Sequence, residues 1–360
     1  MKMLDCRGCL EQEIGDLCKE LGIKRFRANQ IYHWVHKKGA QSWSEMKNIP
    51  KEDKDKLSKA LVLQPLELVQ EKRSKDGTRK YLFKLADNES IETVLMNYEK
   101  DRSRDRHTIC LSTQVGCPIG CPFCATGMSG FKRNLTVAEI IGQVLDVVRT
   151  VKKEDPEFEI TNLVFMGMGE PFLNYEAVLK AIKILNSENG QNIGMRRMTI
   201  STSGVVPRIK QLAHDNSQVG LAISLHSSED KVRDVLVPIN RRYPLKELLE
   251  ACNYYINLTK RRITFEMALH SQNCTKEEAE RLVKLLQGLS VHVNLIPVNP
   301  VQGSPVKRAK KESMIMFKRI LEAGKIPVSI REEKGVDIEA ACGQLRNRME
   351  REGYESVNQN

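Results

Sequence analysis

The sequence predicts an α/β protein built on a parallel sheet, doubly wound or curled into a barrel, behind a small helical N-terminal region. Three observations carry that expectation. From residue 107 onward, short apolar runs alternate with amphipathic stretches of helical spacing, the pattern of repeated strand–helix units. Ahead of them, residues 1 to about 62 look helical and basic, and residues 63–106 read as short strands. The length, 360 residues, suits one sizeable catalytic domain with something added.

The elements follow in order. FRANQIYHWVHK places Ile31, Trp34 and Val35 on one helical face, and Pro50 precedes a second helix in WSEMKNIPKEDKDKLSKAL. Two short basic helices joined by a turn suit a nucleic-acid-binding module and a small capping subdomain equally well. RKYLFKLADNESIETVLMNYE alternates around Asp87-Asn88, a polar pair that turns a hairpin. The strands expected next are TICLSTQV, NLVFMGM, RMTISTS, GLAISLH, ITFEMAL, VHVNLIPV and IPVSIRE. Of the helices between them, the clearest runs from Thr136 to about Lys153. Its residues Val137, Ile140, Ile141, Val144, Val148 and Val151 form one stripe, and Thr136 with Glu139 makes a capping box.

Lys and Arg outnumber Asp and Glu by 57 to 46, a net charge of +11. That excess suits a polyanion partner, or simply a well-solvated basic surface. It clusters at 24–38, 71–80 and 100–107, all ahead of the main cysteine group. No apolar run approaches the ~20 residues of a membrane span. MKMLDCRGCLEQEIGDL has acidic residues where a signal peptide needs an apolar core, so a cytoplasmic protein is expected. Ten cysteines do not imply a disulfide scaffold in a chain long enough to bury a core. Cys6, Cys9, Cys18, Cys252 and Cys274 lack ligand spacing, apart from the weak Cys6–Cys9 pair, and read as ordinary thiols.

GCPIGCPFCATG is different: Cys117, Cys121 and Cys124 lie within eight residues. A structural zinc site wants four ligands, usually from two separated pairs, and no second pair follows. A [4Fe–4S] cluster on three thiolates leaves one iron open to a ligand. The triplet follows the strand TICLSTQV, at the end of the sheet where α/β folds build their sites. FMGMGEP sets Gly167 and Gly169 at a second strand exit beside Glu170. Glycine there allows close approach of a ligand, although a tight strand exit explains it as well.

The CxxxCxxC spacing, with Phe123 before its third cysteine, resembles that of the radical S-adenosylmethionine (SAM) enzymes. HTICLSTQVGCPIGCPFCATG, VFMGMGEPFLNY, TISTSGVVP, LAISLH, LVPIN, VNLIPVNP and DIEAACGQL occur in the order seen in the RlmN family, which the chain resembles from about residue 90 to 346. These are radical SAM RNA methyltransferases that modify carbon 2 of adenosine. The resemblance implies a partial (β/α) TIM-like radical SAM barrel over 107–346. A helical RNA-binding accessory domain would span 1–62, a linker with short strands 63–106, and a tail 347–360.

It also gives roles to residues whose own reading is bland. Cys117, Cys121 and Cys124 would hold one [4Fe–4S] cluster. Gly169, Glu170, Ser201, Ser224, Leu225, His226 and Asn299 would contact SAM. Cys342, alone a buried small hydrophobe, would be methylated first. Cys110 would resolve a protein–RNA thioether through a transient disulfide with Cys342, compatible with a reducing compartment. Glu92, otherwise a strand-face charge, matches the family's proposed proton acceptor, and the sequence leaves open whether it or Cys110 takes the carbon 2 proton. Taken singly, Ser201 is an ordinary strand residue, His226 a strand-end histidine and Asn299 a turn former before Pro300.

The implied reaction follows from the substrate. Carbon 2 of adenine is electron-poor and cannot attack the SAM methyl directly. Cys342 takes a methyl by displacement, and a second SAM yields a 5′-deoxyadenosyl radical that removes hydrogen from it. The methylene radical then adds to carbon 2. The implied partners are 23S rRNA (adenosine 2503), by analogy tRNA (adenosine 37), and an external electron donor. A monomer is expected, because no exposed apolar stripe asks for a partner.

Two alternatives stand beside this. The sister family Cfr methylates carbon 8 of the same ribosomal adenosine; Pro171 after GMGE resembles RlmN instead. An RNA-binding protein with a structural or redox-sensing cluster would explain the charge and the triplet alone. The chain departs from the family at HSQNCTKEEA, where His270 and Cys274 could be extra ligands. A substituted surface loop is the expectation there.

Overall fold

The computed structural model describes residues 3–98, 106–215 and 218–346. The N-terminal region comprises β1 (Leu4–Asp5), α1 (Glu11–Glu20), α2 (Phe26–Tyr32), α3 (Lys51–Leu57) and β2 (Leu61–Val62). β1 and β2 pair in parallel, which closes the region on itself. After α2 the helix widens into a π turn over His33–Lys37. Ile31 and Val35 are fully buried, as their shared face requires.

β3 (Glu67–Arg73), β4 (Arg79–Lys84) and β5 (Ser90–Tyr98) are antiparallel. The β4–β5 hairpin turns through Asn88, whose φ of 68° suits asparagine. β5 pairs antiparallel with β6 (Arg106–Cys110), so the strands within 63–106 are hydrogen-bonded into the main sheet. A small hairpin of β7 (Gln114–Gly116) and β8 (Phe131–Asn134) brackets α4 (Ala125–Met128).

Strand–helix units follow: α5 (Val137–Val151), β9 (Asn162–Phe165), α6 (Tyr175–Asn186), β10 (Met198–Thr202), α7 (Val206–His214), β11 (Gly220–Ser224), α8 (Asp230–Leu236), α9 (Leu245–Thr259), β12 (Ile263–Leu269), α10 (Lys276–Leu286), β13 (Val291–Pro297), α11 (Lys311–Ala323) and β14 (Val328–Ile330). The strands expected from sequence are present, except that TICLSTQV is divided: it ends in the main sheet as β6 at Cys110 and resumes as β7 at Gln114 in the separate hairpin. On α5 the capping box is complete: Glu139 N donates to Thr136 Oγ1 at 3.2 Å, and Thr136 N donates to Glu139 Oε2 at 2.8 Å. Its stripe packs into the core, each such aliphatic side chain contributing about 1.5–3 kcal/mol before entropy is counted.

The sheet runs β14-β13-β12-β11-β10-β9-β6-β5-β4-β3. β6 and β9 to β14 are parallel; β3 to β5 are the antiparallel extension. The order is linear, so the barrel is partial. It curls, because the chain after β14 returns to the other side: Arg331 Nη1 lies 3.9 Å from Met166 Sδ, and Gly335 N donates to Asp76 Oδ2 at 2.9 Å. The exits of the parallel strands therefore surround one space.

The N-terminal region docks on α5 through Arg7, whose Nη1 meets Asp146 Oδ2 at 3.0 Å with both side chains buried. Gly142 makes room, since a Cβ there would lie 1.9 Å from Arg7 Nη2. The sequence's basic clusters fare differently. Lys24, Arg25, Lys37 and Lys38 are exposed, with exposed Phe26 among them. In 71–80, Arg73 and Arg79 pair with Glu71 and Glu154, and Lys80 is buried. Residues 100–105 of the third cluster and the tail 347–360 lie outside the described residues. No described helix is long and apolar enough to cross a membrane.

Candidate active site

The cysteine loop leaves β7 and returns into β8. Cys117 N donates to Gly130 O at 2.7 Å and Cys124 N to Cys121 O at 3.2 Å, which fixes the loop's ends. All three thiols line a cavity of about 170 Å³ at the strand exits. Ile119, Leu236 and Val237 form a small apolar cluster against Cys117, Cys121 and Phe123. Burial pushes the Cys117 thiol up to about 12; Cys121 also rises well above its ordinary value, through burial and then the neighbouring Cys124 and Cys117. Bare thiols in such a place keep their protons until a metal displaces them.

Among the described residues, no three His, Cys, Asp or Glu converge closely enough to hold one ion. A [4Fe–4S] cluster, which separates its thiolates by its own width, fits three soft donors on one cavity wall.

The opposite wall is built from strand exits. Past β9, Gly169 has φ +105°, and a Cβ there would lie 2.6 Å from Gln114 Cβ; one on Gly167 would lie 2.7 Å from Leu111 O. The two glycines are thus demanded by the neighbouring exit of β6, before any ligand is considered. Glu170 is buried: its Oε2 accepts from Ser203 N at 2.7 Å and Ser203 Oγ at 2.6 Å, and its Oε1 accepts from Phe172 N at 3.0 Å. Burial raises its pKa, against these hydrogen bonds. Ser201 Oγ donates to Glu266 Oε2 at 2.9 Å and lies 3.4 Å from Ser224 Oγ.

His226, at φ 62°, carries backbone strain beside the cavity. Its Nδ1 accepts from Ala268 N at 3.0 Å, and burial drops its pKa to about 3, so the ring is neutral. Leu225 does not line the cavity; it is fully buried, and its carbonyl accepts from Arg233 Nε at 2.9 Å. Asn299 lines the cavity, and its Oδ1 is buried without a hydrogen-bond partner. An orphaned acceptor aimed at a cavity suits a ligand ammonium or hydroxyl, which SAM has.

The loop at 270–275 corrects the expectation of a surface loop. His270, Asn273 and Cys274 are buried, and only Ser271 and Gln272 are exposed. Asn273 Nδ2 donates to His226 O at 3.1 Å and Ala268 O at 2.9 Å, bracing the strained histidine. His270 and Cys274 join no ligand group among the described residues.

Cys342 lines this cavity and a smaller one beside it, of about 80 Å³, which Cys110 and Cys124 also line. Burial pushes Cys110 up to about 12 with Cys342 adding to the rise, and burial raises Cys342 while Arg331 opposes it. Arg331 in turn lies 3.7 Å from Glu266. The Cys342 segment is tied to the cysteine loop: Ala125 N donates to Gly343 O at 2.7 Å and Thr126 Oγ1 to Leu345 O at 2.6 Å. Glu92 lines neither cavity; Lys80 Nζ lies 2.9 Å from its Oε1, and Arg346 N donates to its Oε2 at 2.8 Å.

Sequence reasoning missed Arg331, Glu266, Arg233, Asn273 and Lys80. Glu266 left a trace, as a carboxylate inside the apolar run ITFEMAL. The others are single polar residues whose burial only the fold reveals.

A family model of the radical SAM superfamily matches residues 111–286, and one of the ribosomal RNA large subunit methyltransferase N-terminal domain matches residues 5–63. The chain is 57% identical over 350 residues to a probable dual-specificity RNA methyltransferase RlmN of Desulfitobacterium hafniense, covering 97% of this chain and 98% of that one. It is 48% identical over 343 residues to the protein of the same name in Heliobacterium modesticaldum, covering 95% and 89%. A crystal structure of a radical SAM methyltransferase from Sphaerobacter thermophilus superposes with a TM-score of 0.90 at 46% identity, covering 95% of this chain and 99% of that one.

Proposed function

This chain belongs to the RlmN family of radical SAM RNA methyltransferases, and we propose that it methylates carbon 2 of adenosine 2503 in 23S rRNA and of adenosine 37 in tRNA. The observation that supports this most is the meeting of Cys342 with Cys110 and Cys124 in one cavity, from two distant parts of the chain.

Cys117, Cys121 and Cys124 would hold a [4Fe–4S] cluster, and Gly169, Glu170, Ser201, Ser224, His226 and Asn299 would surround SAM. Bound there, the two would supply a methyl group and a carbon-centred radical. Cys342 Sγ carries the methyl carbon, which gives up one hydrogen atom to the radical and joins adenine carbon 2 as a thioether, while carbon 2 loses its proton and one electron that the cluster would accept. Cys110 Sγ then attacks the Cys342 sulfur: the S–S bond forms, the S–C bond breaks, and its electron pair leaves with the carbon, which takes a proton. A two-electron donor reopens the disulfide. Cys110 lines the cavity and Glu92 does not, so Cys110 is the better placed to receive the carbon 2 proton. Exposed Lys24, Arg25, Lys37 and Lys38 suit RNA phosphates. Such substrates put the enzyme in the cytoplasm.

The test is mass spectrometry of nucleosides from 23S rRNA and tRNA incubated with anaerobically reconstituted protein, SAM and a reductant, beside Cys342→Ala. A 2-methyladenosine product that disappears in the variant is expected. An 8-methyladenosine product would move the chain's chemistry to that of Cfr. No methylated adenosine, with the cluster intact, would overturn the assignment of substrate.

A further inference from the structure

One buried ion pair fastens both ends of the segment that carries Cys342. Lys80 Nζ and Glu92 Oε1 lie 2.9 Å apart, with side chains 4% and 2% exposed. Lys80 Nζ also donates to Glu339 O at 3.0 Å, and Glu92 Oε2 accepts from Arg346 N at 2.8 Å. Glu339 and Arg346 bracket Cys342.

The pair stands on the sheet face that carries Cys110. Lys80 lies opposite Val94, and Val94 opposite Cys110, so the three form one row across β4, β5 and β6. Glu92 is two residues from Val94 and points the same way. Strand spacing of ~4.8 Å puts the Lys80 and Cys110 backbones about 10 Å apart on a rigid ladder.

Stability does not explain the pair. Two charges removed from water gain little over a well-packed apolar couple, which is often as stable or more so. What a buried pair does well is fix geometry, since each charged group holds its remaining hydrogen-bond partners in place. Here those partners are the two ends of the Cys342 segment.

We propose that Lys80, acting through Glu92 and the Glu339 carbonyl, is a positioning residue that sets the Cys342 thiol against Cys110. Glu92 on this account is an anchor whose two oxygens are both occupied, rather than the base that takes the carbon 2 proton. The use of this clamp rests on the methyltransferase reading; its detection does not.

The experiment uses the full-length chain, metal-free, with Cys117→Ser, Cys121→Ser and Cys124→Ser so that the triplet takes no part in exchange, and the Cys110–Cys342 disulfide is read from its own cross-linked peptide pair by mass spectrometry, apart from the five other thiols. Lys80→Met/Glu92→Leu removes the clamp without stranding a charge. Relative to its background, this variant should unfold at an equal or higher urea concentration. Amide exchange over residues 339–346 should quicken at least tenfold, and the Cys110–Cys342 disulfide constant against glutathione should fall at least tenfold. Lys80→Arg should recover most of that constant. Unchanged exchange together with an unchanged constant overturns the proposal. If the double variant fails to fold, Lys80→Met/Glu92→Gln decides, as it keeps an acceptor for Arg346 N and drops the Glu339 contact. It should lower the constant by a smaller factor, and no change overturns the proposal. Shifts in these readouts beside wild-type protein that methylates no RNA would leave the clamp standing and sink the functional reading.

Discussion

Phe123 meets His226 edge-on, ring centroids 5.0 Å apart and planes at 81°. This contact joins the cysteine loop to the exit of β11, and it gives the aromatic residue before Cys124 a physical task. It braces a histidine held in a left-handed conformation while packing with Cys117 and Cys121 around Ile119.

Phe123→Ala should therefore loosen both walls at once. Aromatic pairing is worth ~0.5–1.5 kcal/mol beyond area, and the ring is only partly buried, so a loss of about 2 kcal/mol is expected. Urea denaturation of the metal-free protein measures it. Iron content after reconstitution should fall in parallel; unchanged iron would separate the packing from the cluster loop.

Gly169→Ala should be worse. The new methyl would sit 2.6 Å from Gln114 Cβ at a φ of +105° that alanine disfavours. Steric strain and a shifted strand exit together should cost at least ~3 kcal/mol. Denaturation and isothermal titration with SAM should both register it, and near-normal SAM affinity would show that the exit can reshape.

The Arg7–Asp146 pair tests how the N-terminal region is held. Arg7→Met leaves Asp146 buried with only Gln41 Nε2 at 3.2 Å and Leu66 N at 2.9 Å among its former partners. Breaking one side of a buried pair costs about 3–5 kcal/mol, whereas Arg7→Met/Asp146→Leu should cost much less. Limited proteolysis near residue 63 should follow the same order. Equal losses in the two variants would place the effect in packing rather than charge.

His36 gives a pH dependence with a definite sign. Burial, with Arg7 nearby, lowers its pKa to about 3, so it is neutral in the folded chain. An unfolded histidine takes up a proton below about 6.5. The stability His36 contributes is thus present above pH 6.5 and lost as pH falls toward 3, at up to ~1.4 kcal/mol per unit. His226 adds to the slope in the same direction. His36→Phe should flatten the urea-midpoint curve between pH 6.5 and 4 by the His36 share, up to ~1.4 kcal/mol per unit, and an unaltered curve would contradict the buried neutral state.

Local chemistry was legible without coordinates. The helical stripe and capping box of α5, the turn at Asn88 and the strand exits all arise from contacts within a few residues, which spacing records. The cysteine triplet was equally plain, because three cysteines in one loop need no fold to meet. The 270–275 loop was misread for the converse reason. Asn273 looks like any surface amide until its partners, His226 O and Ala268 O, arrive from elsewhere in the chain.

By itself the sequence determined the strand–helix alternation, the cysteine triplet and, through the ordered blocks, the family. Tertiary structure decided what those residues face. It put Cys342 beside Cys110, turned the 71–80 charge cluster largely inward or onto acidic partners, and gave Glu92 to Lys80 and Arg346. Spacing along a chain fixes only contacts that close short loops. Which distant side chains share a cavity, and which charges lose their water, depends on how the sheet curls and what the returning C-terminal segment covers.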